Sequence, residues 1–233
     1  MLLPFLSQNT SAPYVEYDAD RPSARDYNFP MSIAFMFALL SFLAYLGESG
    51  VLVWLHAKPT GYNLVRHAVS DYGVGKTRRL FTIYLALAGL GSVLLAVAFM
   101  FGPEAPIVPQ RTIVFLLPLA IARIGVILFP TDLEGKPLTR TGILHYFFAI
   151  VSIGFTYTIM AELTPIFLTI PDWQVVAGIL NVLLMIATPA LVALVITLWK
   201  PLRNIFGLFE RLFIVSTTIW FLFASAFLAV LLH

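Results

Sequence analysis

No cysteine occurs among the 233 residues of this chain. Disulfides, thiolate metal sites and a cysteine nucleophile are therefore excluded, while the compartment stays open. Charge is scarce as well: Asp, Glu, Lys and Arg make up 11% of the sequence, and the net charge is +2. A nucleic-acid binder carries a large basic excess, so that class is set aside. No internal repeat and no low-complexity segment is visible.

What the chain has in abundance is apolar length. It is 60% hydrophobic, with a mean hydropathy of +0.91. Six apolar stretches run over Pro30–His56, Leu80–Phe101, Thr112–Phe129, Gly142–Leu163, Gln174–Leu198 and Leu208–Leu232, each at least 18 residues long. At about 1.5 Å per residue, each reaches across a hydrocarbon core of about 30 Å. The expected fold is all-α: a polytopic integral membrane protein of six transmembrane helices. Residues 1–29 form a polar N-terminal tail, and residues 30–233 the transmembrane domain. The opening Met1–Ser7 is short, lacks a basic start and is broken by Pro4, so no signal cleavage is expected.

Lys and Arg set an orientation. Lys58, Arg66, Lys76, Arg78, Arg79, Lys136, Arg140, Lys200, Arg203 and Arg211 fall in or beside the 1–2, 3–4 and 5–6 connections; Arg21, Arg25 and Arg111 fall on the other side. Ten against three places these connections in the cytoplasm and both termini outside a cell (inner) membrane. Trp54 and Trp199 fit anchors at the inner interface and Trp173 one at the outer interface, whereas Trp220 falls mid-helix. Pro118 and Pro189 are expected to kink their helices. The small-residue patches at Gly47–Gly50 and Gly89–Ser92 suit close packing, and the first, which contains Glu48, also suits a ligand groove.

Polar groups inside the spans are costly, so each needs an account. Glu48 lies about 12 Å from the cytoplasmic end of its helix and Arg123 about 10 Å from the end of its own. The depths match, and three readings follow for Arg123: snorkelling to the inner headgroups, a structural pair with Glu48, or a hold on an anionic ligand. His67, Ser70 and Asp71, then Asp132 and Glu134, then His145, Glu210 and Arg211 gather at the same level. Glu162, Asp172 and Asn181 in the outer half read as interface and packing groups. Helices 2, 4 and 6 would start at the cytoplasmic face, near Thr77, Thr139–Thr141 and Asn204–Gly207, and turn positive dipole ends toward it.

Gly73-Val74-Gly75-Lys76-Thr77 resembles the end of a P-loop, but Ser70 stands where the pattern needs a glycine and no buried strand precedes it. A glycine turn, a basic interface and a Thr cap on helix 2 explain it. His67, Asp71, Asp132 and His145 could be drawn as a metal set, and Ser70, Asp71 and His145 as a hydrolase triad. Neither has a supporting motif, and no metal or cofactor is assigned.

Two strings carry a resemblance. The first is Arg123-Ile-Gly-Val-Ile-Leu-Phe-Pro130-Thr-Asp132-Leu-Glu-Gly135, followed by Thr141-Gly142-Ile-Leu-His145. It is similar to the signature of a six-helix membrane family, domain of unknown function 998, found largely in bacteria and archaea. The second is His67-Ala-Val-Ser70-Asp71-Tyr-Gly73, which resembles that family's S-[DE]-x-G element. More distantly, it resembles an element of the DRAM/Sfk superfamily, which includes a factor in GPI-anchor lipid remodelling. The resemblance implies the six-helix fold and points to Ser70, Asp71, Gly73, Arg123, Pro130, Asp132, Gly142 and His145.

The leading expectation is a cytoplasmic-face pocket for an anionic inner-leaflet lipid headgroup or similar small anion, with Arg123, Glu48, Ser70 and His67 as binding residues. The alternative is a membrane enzyme hydrolysing or transferring a group on a lipid, with His145 as general base and Asp132 or Asp71 orienting it or binding metal. A permease and an accessory subunit of a larger complex are further alternatives, and homo-oligomers remain open.

Overall fold

A computed structural model describes residues 28–102, 108–133 and 136–233. The polar tail up to residue 27, with Arg21 and Arg25, lies outside the described residues, as does Glu134. Among the described residues six α-helices form: α1 (Asn28–Ala57), α2 (Arg78–Phe101), α3 (Gln110–Leu128), α4 (Arg140–Thr169), α5 (Gln174–Ile196) and α6 (Phe206–Leu231). All six are long and apolar enough to cross a membrane. No strand occurs among the described residues. The chain is thus an all-α, multi-pass membrane-type protein.

The helix ends differ from the apolar limits in an instructive way. α2 and α4 begin at Arg78 and Arg140, two residues before the apolar stretches do. A long charged side chain can stay helical while its head stays wet. α4 also continues past Leu163 to Thr169 and through Pro165. There the Thr164 hydroxyl accepts a hydrogen bond from Trp220 Nε1 at 2.9 Å, and Phe167 is wholly buried.

Each helix packs on its neighbours in sequence, and α6 closes on α1, so the six form a ring. One half lies toward the chain termini and the other toward the 1–2, 3–4 and 5–6 connections, the basic face. The terminal half is solid. Phe167 stacks on Trp173 with centroids 4.0 Å apart, and Trp173 meets Phe227 at 4.8 Å. Leu95, Phe99, Leu116, Leu163 and Trp220 fill the space around them. Trp173 is therefore a core residue, not the interface anchor its position suggests; the short 3-10 turn Pro171–Trp173 folds it under the bundle. Trp54 and Trp199, by contrast, are exposed at the basic face.

α4 is held unevenly. Only Gly142 and His145 are buried in its first three turns, whereas Thr156, Ile159, Met160, Leu163, Thr164 and Phe167 are buried in its second half. Its contact with α5 is the slightest between neighbouring helices of the ring. The ring is accordingly loose beside α4 near the basic face.

Candidate functional site

A cavity of about 100 Å³ occupies the basic-face half of the ring. Its walls come from α1, α2, α3, α4, α6 and the 3-10 turn Val69–Gly73. Its polar lining includes Glu48, Ser70, Tyr84, Arg123, His145 and Glu210. At about 30 Å³ per water, the space suits a few waters or a compact polar group, not an acyl chain.

Arg123 is 7% exposed, so it does not snorkel. Its Nη1 donates to the Ala88 carbonyl and, at 2.8 Å, to Ser92 Oγ. Ser92 is held in turn by the Tyr45 hydroxyl at 3.0 Å, and Tyr45 stacks on Phe221. Gly91 makes this possible, because a Cβ there would run into the Tyr45 ring. The guanidinium also sits 5.9 Å from the Phe221 ring centroid, within the range of a cation–π contact. No described carboxylate lies within 4.0 Å of it. The Glu48–Arg123 ion pair allowed by matching depth does not form, although both side chains line the same cavity.

Glu48 is 1% exposed. Its Oε1 accepts from the Thr218 hydroxyl at 3.2 Å, while Oε2 is buried with no hydrogen-bond partner. Such an oxygen forgoes about 1–3 kcal/mol of solvation unless a donor reaches it. Glu210 enters from α6 and accepts the Val69 N–H on Oε2. His145 is 2% exposed, and its Nδ1 lies 2.8 Å from the Phe129 carbonyl. A carbonyl only accepts, so Nδ1 carries the proton, and Nε2 is the ring's acceptor.

The other sequence-selected residues build the rim. Asp132 accepts from the Thr139 N–H at 2.7 Å and from its hydroxyl at 3.0 Å; Thr139 in turn caps α4 by accepting the Gly142 N–H at 3.1 Å. A Cβ on Gly142 would overlap the Asp132 carboxylate. The helix 3–4 signature is thus a clamp that sets His145 at the cavity wall. Asp71 accepts the Ala68 N–H at 3.1 Å and so closes its own 3-10 turn. His67 Nδ1 accepts the Asn63 N–H at 2.9 Å. Asp71, Asp132 and His67 do not line the cavity, whereas Ser70, Glu48, Arg123 and His145 do. His67, Asp71, Asp132 and His145 are not gathered into a metal-holding group, and no such group occurs among the described residues. Burial and the nearby Asp71 carboxylate push the Tyr62 phenol up from its ordinary value, so it remains a neutral donor to the Asp71 carbonyl at 3.3 Å.

Sequence reading passed over the weight carried by Arg211. Its Nη1 donates to the carbonyls of Leu64, His67 and Gly207 at 2.7, 2.6 and 3.0 Å. Its Nε donates to His56 Nε2 at 3.0 Å, while His56 Nδ1 bonds the Leu52 carbonyl at 2.7 Å. Arg211 thereby bolts the 1–2 connection onto α6. The signal in the sequence was a basic residue one turn inside an apolar helix. Thr77 departs from expectation too: its hydroxyl donates back to the Tyr72 carbonyl at 2.8 Å rather than capping α2. Gly75 does form the expected turn, with φ at +68°. Outside the cavity half, Arg111 pairs with Glu162 at 3.1 Å near the terminal face.

A family model described as Protein of unknown function (DUF998) matches residues 32–226. No curated protein and no solved structure matches the chain, and none of these comparisons links it to the DRAM/Sfk superfamily. The match spans all six helices, and the chain belongs to the DUF998 family.

Proposed function

We propose that this DUF998 protein binds the phosphate-bearing headgroup of a membrane lipid in the cavity, with Arg123 as the contact to the phosphate. One observation carries the reading: a buried guanidinium faces a cavity, has no carboxylate within 4.0 Å, and makes its hydrogen bonds through Nη1 alone. A cation inside a membrane is costly and marks a site by default. The fork of a guanidinium matches two oxygens of a phosphate. The Ala88 carbonyl and Ser92 hold that fork in place before any ligand arrives, which lowers the cost of binding. By the Lys/Arg asymmetry the cavity would face the cytoplasm of a cell inner membrane, where anionic headgroups are concentrated. Glu48 and Ser70 would complete the lining, and His67 would act through the loop it folds.

The test is native mass spectrometry of wild type and Arg123→Gln purified in parallel. Co-purified phospholipid should fall by about tenfold or more in the variant, since tenfold is only about 1.4 kcal/mol. Equal lipid on both proteins, each folded, overturns the reading.

His145 supports a second reading, group transfer on the bound lipid. With Nδ1 tied to Phe129, its Nε2 is left as a base at the wall. Asp132 would serve as a positioning residue through the α4 clamp, and Asp71 through the turn that carries Ser70. Loss of turnover in His145→Gln with lipid still bound would select this reading; equal lipid chemistry in both proteins would remove it.

A further inference from the structure

Resting on the lipid-binding reading, a narrower inference concerns which headgroup fits. The cavity contains two carboxyl groups, Glu48 and Glu210, against one guanidinium, Arg123. A ligand that brought only negative charge would satisfy Arg123 and leave Glu48 worse off. Glu48 is the group most in need of a partner, because its buried Oε2 has none. Beside hydroxyls that can donate or accept, such as those of Ser70 and Tyr84, three groups in the lining only accept: Glu48 Oε2, the carboxylate of Glu210 and, by the tautomer argument, His145 Nε2. Three acceptors and an opposed guanidinium match a group with several N–H donors and a positive charge, carried a few bonds from a phosphate.

We infer that the ligand is an aminophospholipid, with its primary ammonium between Glu48 and Glu210 and its phosphate on Arg123. The ammonium supplies the donor that Glu48 Oε2 lacks. The phosphate takes the donors that Arg123 has not spent on Ala88 and Ser92. A quaternary ammonium has the charge but no N–H, and a glycerol headgroup has hydroxyls but no charge, so both satisfy the site only in part.

The way in also favours a lipid over a free headgroup. On α4 the lining residues Ala149, Ser152 and Ile153 are half-buried, as is Ile214 on α6. They lie about 14 to 20 Å along α4 from its start, at membrane depth. Of the neighbouring helices in the ring, α4 and α5 pack least. A headgroup can enter sideways there while its acyl chains stay in the bilayer.

The experiment is a native mass spectrometry titration of the delipidated protein with phosphatidylethanolamine, phosphatidylcholine and phosphatidylglycerol of identical chains. Wild type should prefer phosphatidylethanolamine by about tenfold over the other two, the worth of one charge-assisted contact. Glu48→Gln, which keeps the shape, should lose that preference yet retain phosphatidylglycerol; Glu210→Gln, which can still accept the Val69 N–H, should weaken it in the same direction. Arg123→Gln should lose all three lipids. An unchanged preference in Glu48→Gln, or a wild type that prefers phosphatidylglycerol, overturns the ammonium assignment and leaves the lipid site standing. No lipid on wild type overturns both. Soluble phosphoethanolamine should not occupy the protein at the same concentration; if it does, the ammonium assignment is kept and the lipid as its carrier is overturned.

Discussion

The two halves of the ring solve opposite problems. Toward the termini, Phe167, Trp173, Trp220 and Phe99 stack and interlock; the buried hydroxyls there have close partners, such as Thr164 with Trp220 and Ser225 with the Phe221 carbonyl, and the one orphaned polar atom among the described residues there is the neutral Trp173 Nε1. Toward the basic face, Glu48, Asp71, Arg123, His145, Glu210 and Arg211 are all buried. One half is packed as an apolar core without buried charge among the described residues. The other holds buried charge around a space, and Glu48 Oε2 is left without a partner. Stability alone would not produce the second arrangement, since well-packed apolar residues usually serve at least as well as buried ions. On the proposed reading, the terminal half is scaffold and the basic half holds the ligand.

Substitutions can break or sharpen that division. The largest effect belongs to Trp220→Ala, which empties a wholly buried site and removes the bond to Thr164. It should cost about 3–5 kcal/mol, read as a large fall in Tm, while the lipid affinity of the protein that stays folded is retained. Arg211→Ala comes next, at about 3 kcal/mol, because four hydrogen bonds from a charged group are lost together. Hydrogen exchange should rise sharply over residues 64–69 and remain slow in the terminal half. A change spread over the whole chain would show that the halves are not separable.

Glu48→Leu should have the opposite sign. Removing a buried acid with an unpartnered oxygen is expected to raise stability by about 1 kcal/mol, with lipid preference lost. A destabilised Glu48→Leu would make Glu48 a structural residue and weaken the division. Arg111→Ala should do least. The Arg111 side chain is 68% exposed in its pair with Glu162, and such pairs contribute about 1 kcal/mol or less. A Tm shift near zero and unchanged lipid binding are expected.

The same division explains what could be read from the sequence. The six spans were legible because a hydrocarbon core forces about 20 apolar residues into every crossing, and their ends shifted by a residue or two except at α4, which runs on through Pro165 to Thr169. The match to DUF998 agrees with the family resemblance carried by the helix 3–4 string. Residue roles were harder to read, for a reason visible in the hydrogen bonds. Asp132 finds Thr139 seven residues away, His67 finds Asn63 four away, and Asp71 finds Ala68 three away. These are local turn and cap bonds of the kind Asp and His commonly make in loops. The cavity residues find partners far along the chain: Arg123 reaches Ser92 across 31 positions and Glu48 reaches Thr218 across 170. Depth counting placed Glu48 and Arg123 at one level, but which helix faces which is settled only by the closed ring. Polar residues alike in sequence therefore separated into clamp and lining only in three dimensions.

The most direct measurement is a high-resolution electron cryomicroscopy map of the protein in nanodiscs containing phosphatidylethanolamine and phosphatidylglycerol. Headgroup density in the cavity, in contact with Arg123 and with acyl density leaving beside α4, is the expected result. A cavity closed by direct contact of Arg123 with Glu48, or one holding water alone, would contradict the assignment of this half of the molecule to ligand binding.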